Sequence, residues 1–116
     1  MLAGTVVLVT RLGFGTTAPG DEGFGVEMLD KFLHTLESRQ DRPAAICCYT
    51  EGVRAMADDS PVLLSLTMLE ASGVEIVACG SCLEYYGLTD RLAVGRLGAM
   101  TDIVELMASA PKVITI

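Results

Sequence analysis

The sequence predicts one doubly wound α/β domain over residues 1–116, a mainly parallel sheet with helices on both faces in the layering of a flavodoxin-like protein. Three observations predict it. Short, strand-length apolar runs rich in β-branched residues recur along the chain, and stretches with apolar residues at three- and four-residue spacing separate them. The resulting β-α-β-α-β-α-β order calls for crossover connections, which place helices against a parallel sheet. A length of 116 residues suits one core and leaves no room for a second.

The elements follow in order. Thr5–Thr10 (TVVLVT) is a continuous apolar, β-branched run, as expected of a parallel strand covered on both faces. A glycine-rich stretch, Leu12–Gly25, comes next. Val26, Leu29, Phe32, Leu33 and Leu36 then mark the buried stripe of a helix of about five turns that ends near Ser38. Asp41-Arg42-Pro43 is a turn, and Ala44–Tyr49 (AAICCY) is the second strand. Ser60-Pro61 reads as an N-cap followed by proline at the first helical position. Val62, Leu66 and Leu69 face the core from that helix, and Gly73 is placed to end it in a left-handed conformation. The third strand is Val74–Cys79 (VEIVAC), with a short helix expected through Leu83–Gly87. A last helix carries Met100, Ile103, Leu106 and Met107, and Lys112–Ile116 (KVITI) is the final strand.

Composition excludes several functions. Eight Lys+Arg against 15 Asp+Glu give a formal charge of −7, a balance that repels phosphate backbones and argues against nucleic acid as a partner. An apolar content of 51% excludes intrinsic disorder and exceeds what a small monomer needs, so part of it is expected under a subunit interface. The first residues carry no basic leader, and no window approaches the roughly 20 apolar residues of a membrane span. The expectation is a cytoplasmic protein without a membrane partner.

Chemistry in this fold belongs beyond the carboxyl ends of the strands. Three segments lie there: Arg11–Gly20, Thr50-Glu51-Gly52 and Cys79-Gly80-Ser81-Cys82. The last is the most informative. Cys79 closes a buried strand just before a helix, where unpaired N–H groups and the positive dipole end favour a thiolate. Gly80 allows a tight turn, and Ser81 with Glu84 has the spacing of a capping box. A strand-end thiol of lowered pKa is a competent sulfur nucleophile. The candidate catalytic residues are Cys79 and Cys82. Gly80, Ser81, Arg11 and Thr50 are the candidate substrate contacts, with Arg11 suited to a small anion or a persulfide.

Each of these residues also has an ordinary explanation. Cysteine is among the most buried residue types, so Cys79 and Cys82 could simply pack. Cys47 and Cys48 are neighbours on a strand and point to opposite faces, which opposes a four-cysteine zinc site. No metal and no cofactor are expected. The loop Gly13-Phe14-Gly15-Thr16-Thr17 occupies a phosphate-loop position but lacks the G-x-x-x-x-G-K-[ST] pattern and any lysine, which favours a loop that merely borders the site. His34 reads as a helix-surface residue. Met28, Met68, Met100 and Met107 read as core or interface filling.

The segment Val77-Ala78-Cys79-Gly80-Ser81-Cys82-Leu83-Glu84-Tyr85-Tyr86-Gly87-Leu88 resembles the signature of DsrE/DsrF-like proteins. Within them it is most similar to the C-terminal domain of YedF-type selenium-metabolism proteins. Gly20-Asp21-Glu22, Tyr49–Val53, Val94-Gly95, Ala99–Val104 and Lys112–Ile116 extend the likeness nearly end to end. The resemblance implies trimers or hexamers of a compact α/β fold. It also implies a persulfide-carrying cysteine after the third core strand, which maps to Cys79. The Arg11–Pro19 loop departs from the family pattern, and the C-P-x-P cysteine of YedF-type N-terminal domains does not occur in the sequence.

Three functions from different classes follow. The leading one is a sulfur-relay protein, a sulfurtransferase in sulfur or selenium metabolism. In it Cys79 accepts sulfane sulfur from a donor protein, Cys82 resolves the persulfide, and an acceptor protein receives the sulfur. The second is a dithiol–disulfide oxidoreductase using Cys79 and Cys82, although the chain has no Trp and lacks the usual thioredoxin-type surroundings. The third is a non-catalytic subunit that binds a small ligand.

Overall fold

The computed structural model describes all residues, Met1–Ile116. Five strands form one all-parallel sheet: β1 (Val6–Val9), β2 (Ala45–Cys48), β3 (Glu75–Cys79), β4 (Arg96–Gly98) and β5 (Val113–Thr115). Their order is β4-β3-β2-β1-β5. Four α-helices connect them: α1 (Glu22–Ser38), α2 (Leu63–Ala71), α3 (Gly80–Tyr85) and α4 (Met100–Ser109). A 3-10 segment, Thr50–Met56, follows β2.

The strand order dictates where the helices go. Parallel crossovers are right-handed, so the steps from β1 to β2, β3 and β4 keep α1, α2 and α3 on one face. The return from β4 to β5 runs the opposite way and puts α4 on the other. Alternation along each strand matches this division. Val7, Val9, Ile46, Cys48, Ile76 and Ala78 join Leu29, Leu33, Leu66, Leu69 and Leu83 in the larger core. Val6, Leu8, Ala45, Cys47, Val77 and Cys79 face Ile103 of α4. The opposed orientation of Cys47 and Cys48 is therefore as the strand period requires.

The expected doubly wound α/β class is what the chain adopts, with α1 ending at Ser38 as its apolar stripe indicates. Gly73 (φ +99°) closes α2 in a Schellman arrangement, the Val74 N–H reaching the Leu69 carbonyl at 3.1 Å.

Three local expectations change. Strand β4 was not expected: its three residues, Arg96–Gly98, leave no periodic signal. Helix α2 starts at Leu63, because Ser60 Oγ accepts the Val62 N–H (3.1 Å) in a local turn before the helix. Helix α3 starts at Gly80 with Cys79 as its N-cap, so Ser81 already lies inside the helix and forms no capping box with Glu84.

Candidate functional site

Register brings the strand ends level. Val9 pairs with Cys48, Cys48 with Ala78, and Cys79 with Gly98. The loops leaving β1, β2 and β3 therefore emerge side by side at the carboxyl edge, where this class of sheet puts its ligands.

Thr50 is the joint between them. It is the one non-glycine residue in the left-handed region (φ +48°), a conformation that costs about 1 kcal/mol for a residue with a Cβ. Its hydroxyl is shared between the carbonyls of Thr10 (3.0 Å) and Tyr49 (2.7 Å), which ties the end of β2 to the end of β1. That anchorage turns its backbone N–H onto Cys82 Sγ at 3.0 Å. Strained backbone held by side-chain bonds and aimed at a sulfur is a positioned donor. Two residues on, Gly52 is buried with its Cα against the Val9 carbonyl, and a Cβ there would collide with that oxygen. The 3-10 segment can lie over the end of β1 only because this residue is glycine.

The two cysteines of the motif differ in access. Cys79 is 3% exposed and packs among Val6, Leu8, Cys47, Val77 and Ile103. Cys82 is half-buried, in the first turn of α3, and bridges both cores. Burial first, then the neighbouring Cys79 thiol, pushes the Cys82 thiol above its ordinary value, while the Thr50 N–H acts in the opposite sense. All four cysteines are free. Cys47, on the α4 side, is raised to about 11 by burial, and Cys48 is raised further in the larger core, again by burial. No cluster of three or more His, Cys, Asp or Glu side chains could hold a metal ion.

The other candidates separate into two clefts. Gly80 and Ser81 line one of about 360 Å³ with Leu97, Gly98 and Met100. It lies between β3 and β4, whose following helices leave for opposite faces, which is the topological switch point of this sheet. Arg11 stands in a second cleft of about 370 Å³ with Arg54. It donates to the Gly15 carbonyl (2.7 Å) and Thr16 Oγ1 (3.2 Å) and so bonds within its own loop. The loop folds back on α1, Phe14 meeting Phe32 at 4.9 Å between ring centroids. The structure thus joins Cys79, Cys82 and Thr50 in one site and sets Arg11 in a neighbouring one.

Sequence reasoning overlooked Arg54, whose guanidinium lies 4.5 Å above the Tyr86 ring. No short-range pattern links a 3-10 segment after β2 to the end of α3. It also overlooked the N–H donor of Thr50, since backbone direction leaves no trace in residue type. Gly52, in Thr50-Glu51-Gly52 at a strand end, was the available signal.

The fold is shared with solved structures. The ychN protein from E. coli superposes with a TM-score of 0.68 over 100% of both chains at 22% identity. A protein of unknown function from Methanobacterium thermoautotrophicum, MTH1491, gives a TM-score of 0.71 at 19% identity, with 97% of each chain covered. BT1422 from Bacteroides thetaiotaomicron gives 0.63 at 20% identity, covering 97% of this chain and 94% of that one. No curated protein matches the sequence. The family model for DsrE/DsrF-like proteins matches residues 23–116, which takes in the 3-10 segment, both cysteines of the motif and the switch-point cleft; this chain belongs to the DsrE/DsrF-like family.

Proposed function

We propose that the protein is a sulfur-relay sulfurtransferase. It carries sulfane sulfur as a persulfide on the Cys79/Cys82 pair and passes it to a partner protein. One observation carries this reading: a half-buried thiol in the first turn of α3, one turn from the strand-end Cys79, receives a fixed backbone N–H from Thr50. In the loading step a cysteine thiolate attacks the outer sulfur of a donor persulfide. A new S–S bond forms, the donor's S–S bond breaks, and the donor leaves as a thiolate. The Thr50 N–H, 3.0 Å from Cys82 Sγ, stabilises the attacking thiolate without reorganisation. An acceptor thiolate takes the sulfur by the same exchange. Alternatively, the second cysteine attacks the inner sulfur, forming the Cys79–Cys82 disulfide and expelling hydrosulfide. Selenium would follow the same path.

Exposure orders the pair. Cys82 is the sulfur a donor meets first, and Cys79, at 3% exposure, is the resolving thiol. This reverses the order that the strand-end position and the family resemblance imply. Intact-mass analysis after incubation with thiosulfate or a persulfide donor tests it. Cys82→Ser should abolish the gain of one sulfur, and Cys79→Ser should load and hold the sulfur longer. The opposite result restores Cys79 as the carrier. If both variants load like the parent, the relay reading fails.

The spacing of two free thiols one helical turn apart favours a second reading, a dithiol oxidoreductase. A loss of two hydrogens without sulfur gain would select it. In our reading the chain also works as a homotrimer or homohexamer. Leu97 (50% exposed), Met100 (54%) and Val104 (53%) offer apolar surface beside the switch-point cleft for such contacts. Sedimentation of Met100→Glu should give smaller species than the parent; a parent already monomeric at micromolar concentration removes this part.

A further inference from the structure

The cleft of about 370 Å³ beside the sulfur site holds two guanidinium groups, Arg11 and Arg54, and two carboxylates, Glu22 and Glu51. No ion pair joins any of them to any other. Elsewhere Arg39, Arg91 and Arg96 each meet a carboxylate within 3.1 Å, whereas Arg42 and Lys112 donate to backbone carbonyls. The separation has structural causes. Arg54 stacks on Tyr86 instead of turning to Glu51 three residues earlier, and Arg11 is held by the Gly15 carbonyl and Thr16 Oγ1. Glu22 accepts the Gly20 N–H at 2.8 Å. Opposite charges that line one small cavity without pairing are complementary to a ligand that carries both signs.

We infer that this cleft binds a free α-amino acid, its carboxylate on the guanidinium side and its ammonium on the carboxylate side. The volume falls within the range of small-ligand pockets. The mixed lining distinguishes such a zwitterion from a simple oxyanion, which two carboxylates would repel. Glu51 directly follows Thr50, whose N–H contacts Cys82, so the cleft abuts the sulfur site. Resting on the relay reading, the natural ligand is then an amino acid bearing sulfane sulfur, of the cysteine persulfide class, acting as the small donor.

Calorimetric titration of the full chain with S-methyl-L-cysteine, whose capped sulfur cannot react, tests the inference. Saturable binding is expected, weakened at least tenfold by Arg54→Gln and by Glu51→Gln. N-acetyl-S-methyl-L-cysteine, which lacks the ammonium, should bind at least tenfold more weakly to the parent. Absence of binding overturns the inference. So does equal binding of thiosulfate and of the N-acetyl compound with Glu51→Gln silent, since that marks a plain anion site. The Cys79→Ser/Cys82→Ser double variant separates the two proposals, because it should still bind S-methyl-L-cysteine. A parent that loads sulfur from thiosulfate without binding the amino acid sinks the inference alone. A parent that binds it and never loads sulfur sinks only the relay.

Discussion

The two faces of the sheet are built to different depths. On one, α1, α2 and α3 with the 3-10 segment cover the strands, and Leu29, Leu33, Ile46, Met56, Leu66 and Leu69 are fully enclosed. On the other, α4 alone lies over Val6, Leu8, Cys47, Val77 and Cys79, and Ile103 is its single buried residue. Two adjacent cysteines register the difference. Cys48 faces the deep core and Cys47 the shallow one. Burial raises both thiols, Cys48 more, while Glu75 and Arg96 still act on Cys47. Neighbours in sequence therefore occupy different solvents. The motif cysteines sit at the seam, Cys79 on the shallow side and Cys82 touching both cores.

One way to break the arrangement is at the deep face's roof. Gly52→Ala drives a Cβ into the Val9 carbonyl, which cannot yield without shifting β1. Destabilisation of about 3 kcal/mol is expected, at the upper end for overpacking. Denaturant unfolding measures it, and an unchanged midpoint would mean that the 3-10 segment is not held where it lies here.

Truncation on each face compares them directly. Leu33→Ala should cost roughly 4 kcal/mol, because a fully enclosed side chain leaves a cavity that its neighbours cannot fill. Ile103→Ala should cost roughly 2 kcal/mol, since α4 can settle onto the sheet. Equal losses in urea unfolding would show the two faces to be equally well packed.

Alkaline pH probes the same contrast. In the folded chain Cys47 is raised from its ordinary 9.0 to about 11, so the unfolded chain loses that proton first. Its contribution to stability is full below the unfolded value and disappears as pH rises through the folded one. Stability should therefore fall between about pH 9 and 11, and less steeply in Cys47→Ala, with Cys48 adding a loss of the same sign that starts at the same pH and continues beyond it. Urea midpoints across that range decide the matter: an identical slope in parent and variant removes Cys47 as a contributor.

The smallest effect belongs to the start of α4. Asp102 accepts the Ala99 N–H at 2.8 Å, and Asp102→Ala should cost about 1 kcal/mol, the usual worth of a helix cap. A thermal melt indistinguishable from the parent's would show that the end of α4 contributes nothing.

Much of this fold was legible because strand and helix periods are local properties. Alternation assigns Cys47 and Cys48 to opposite faces whatever the topology, and the stripe from Val26 to Leu36 marks the buried side of α1. Strand β4 was not legible. Arg96-Leu97-Gly98 is too short to show a period, and its place depends on Gly95 (φ +73°) lying against Ile76 and Gly98 against Val77, contacts from a strand far earlier in the chain. The start of α3 was misplaced for a related reason. Ser81-Cys82-Leu83-Glu84 has capping-box spacing, but β3 runs straight into the helix and leaves no room for a separate cap.

The sequence by itself determined the α/β class, the boundaries of α1, and a pair of cysteines at a strand's carboxyl end. Residue type and spacing carry that information, because hydrophobic periodicity and turn preference act over a few residues. Tertiary structure alone decided which thiol is reachable. The cover on Cys79 comes from α4, which reaches its face only because β5 returns to the far side of β1. Tertiary structure also aimed the Thr50 N–H at Cys82 and kept Arg54 from Glu51, since both depend on α3 meeting the segment after β2. Charge, direction and access are set by whatever stands opposite a residue, and at this site the opposing groups lie some 30 residues away in sequence.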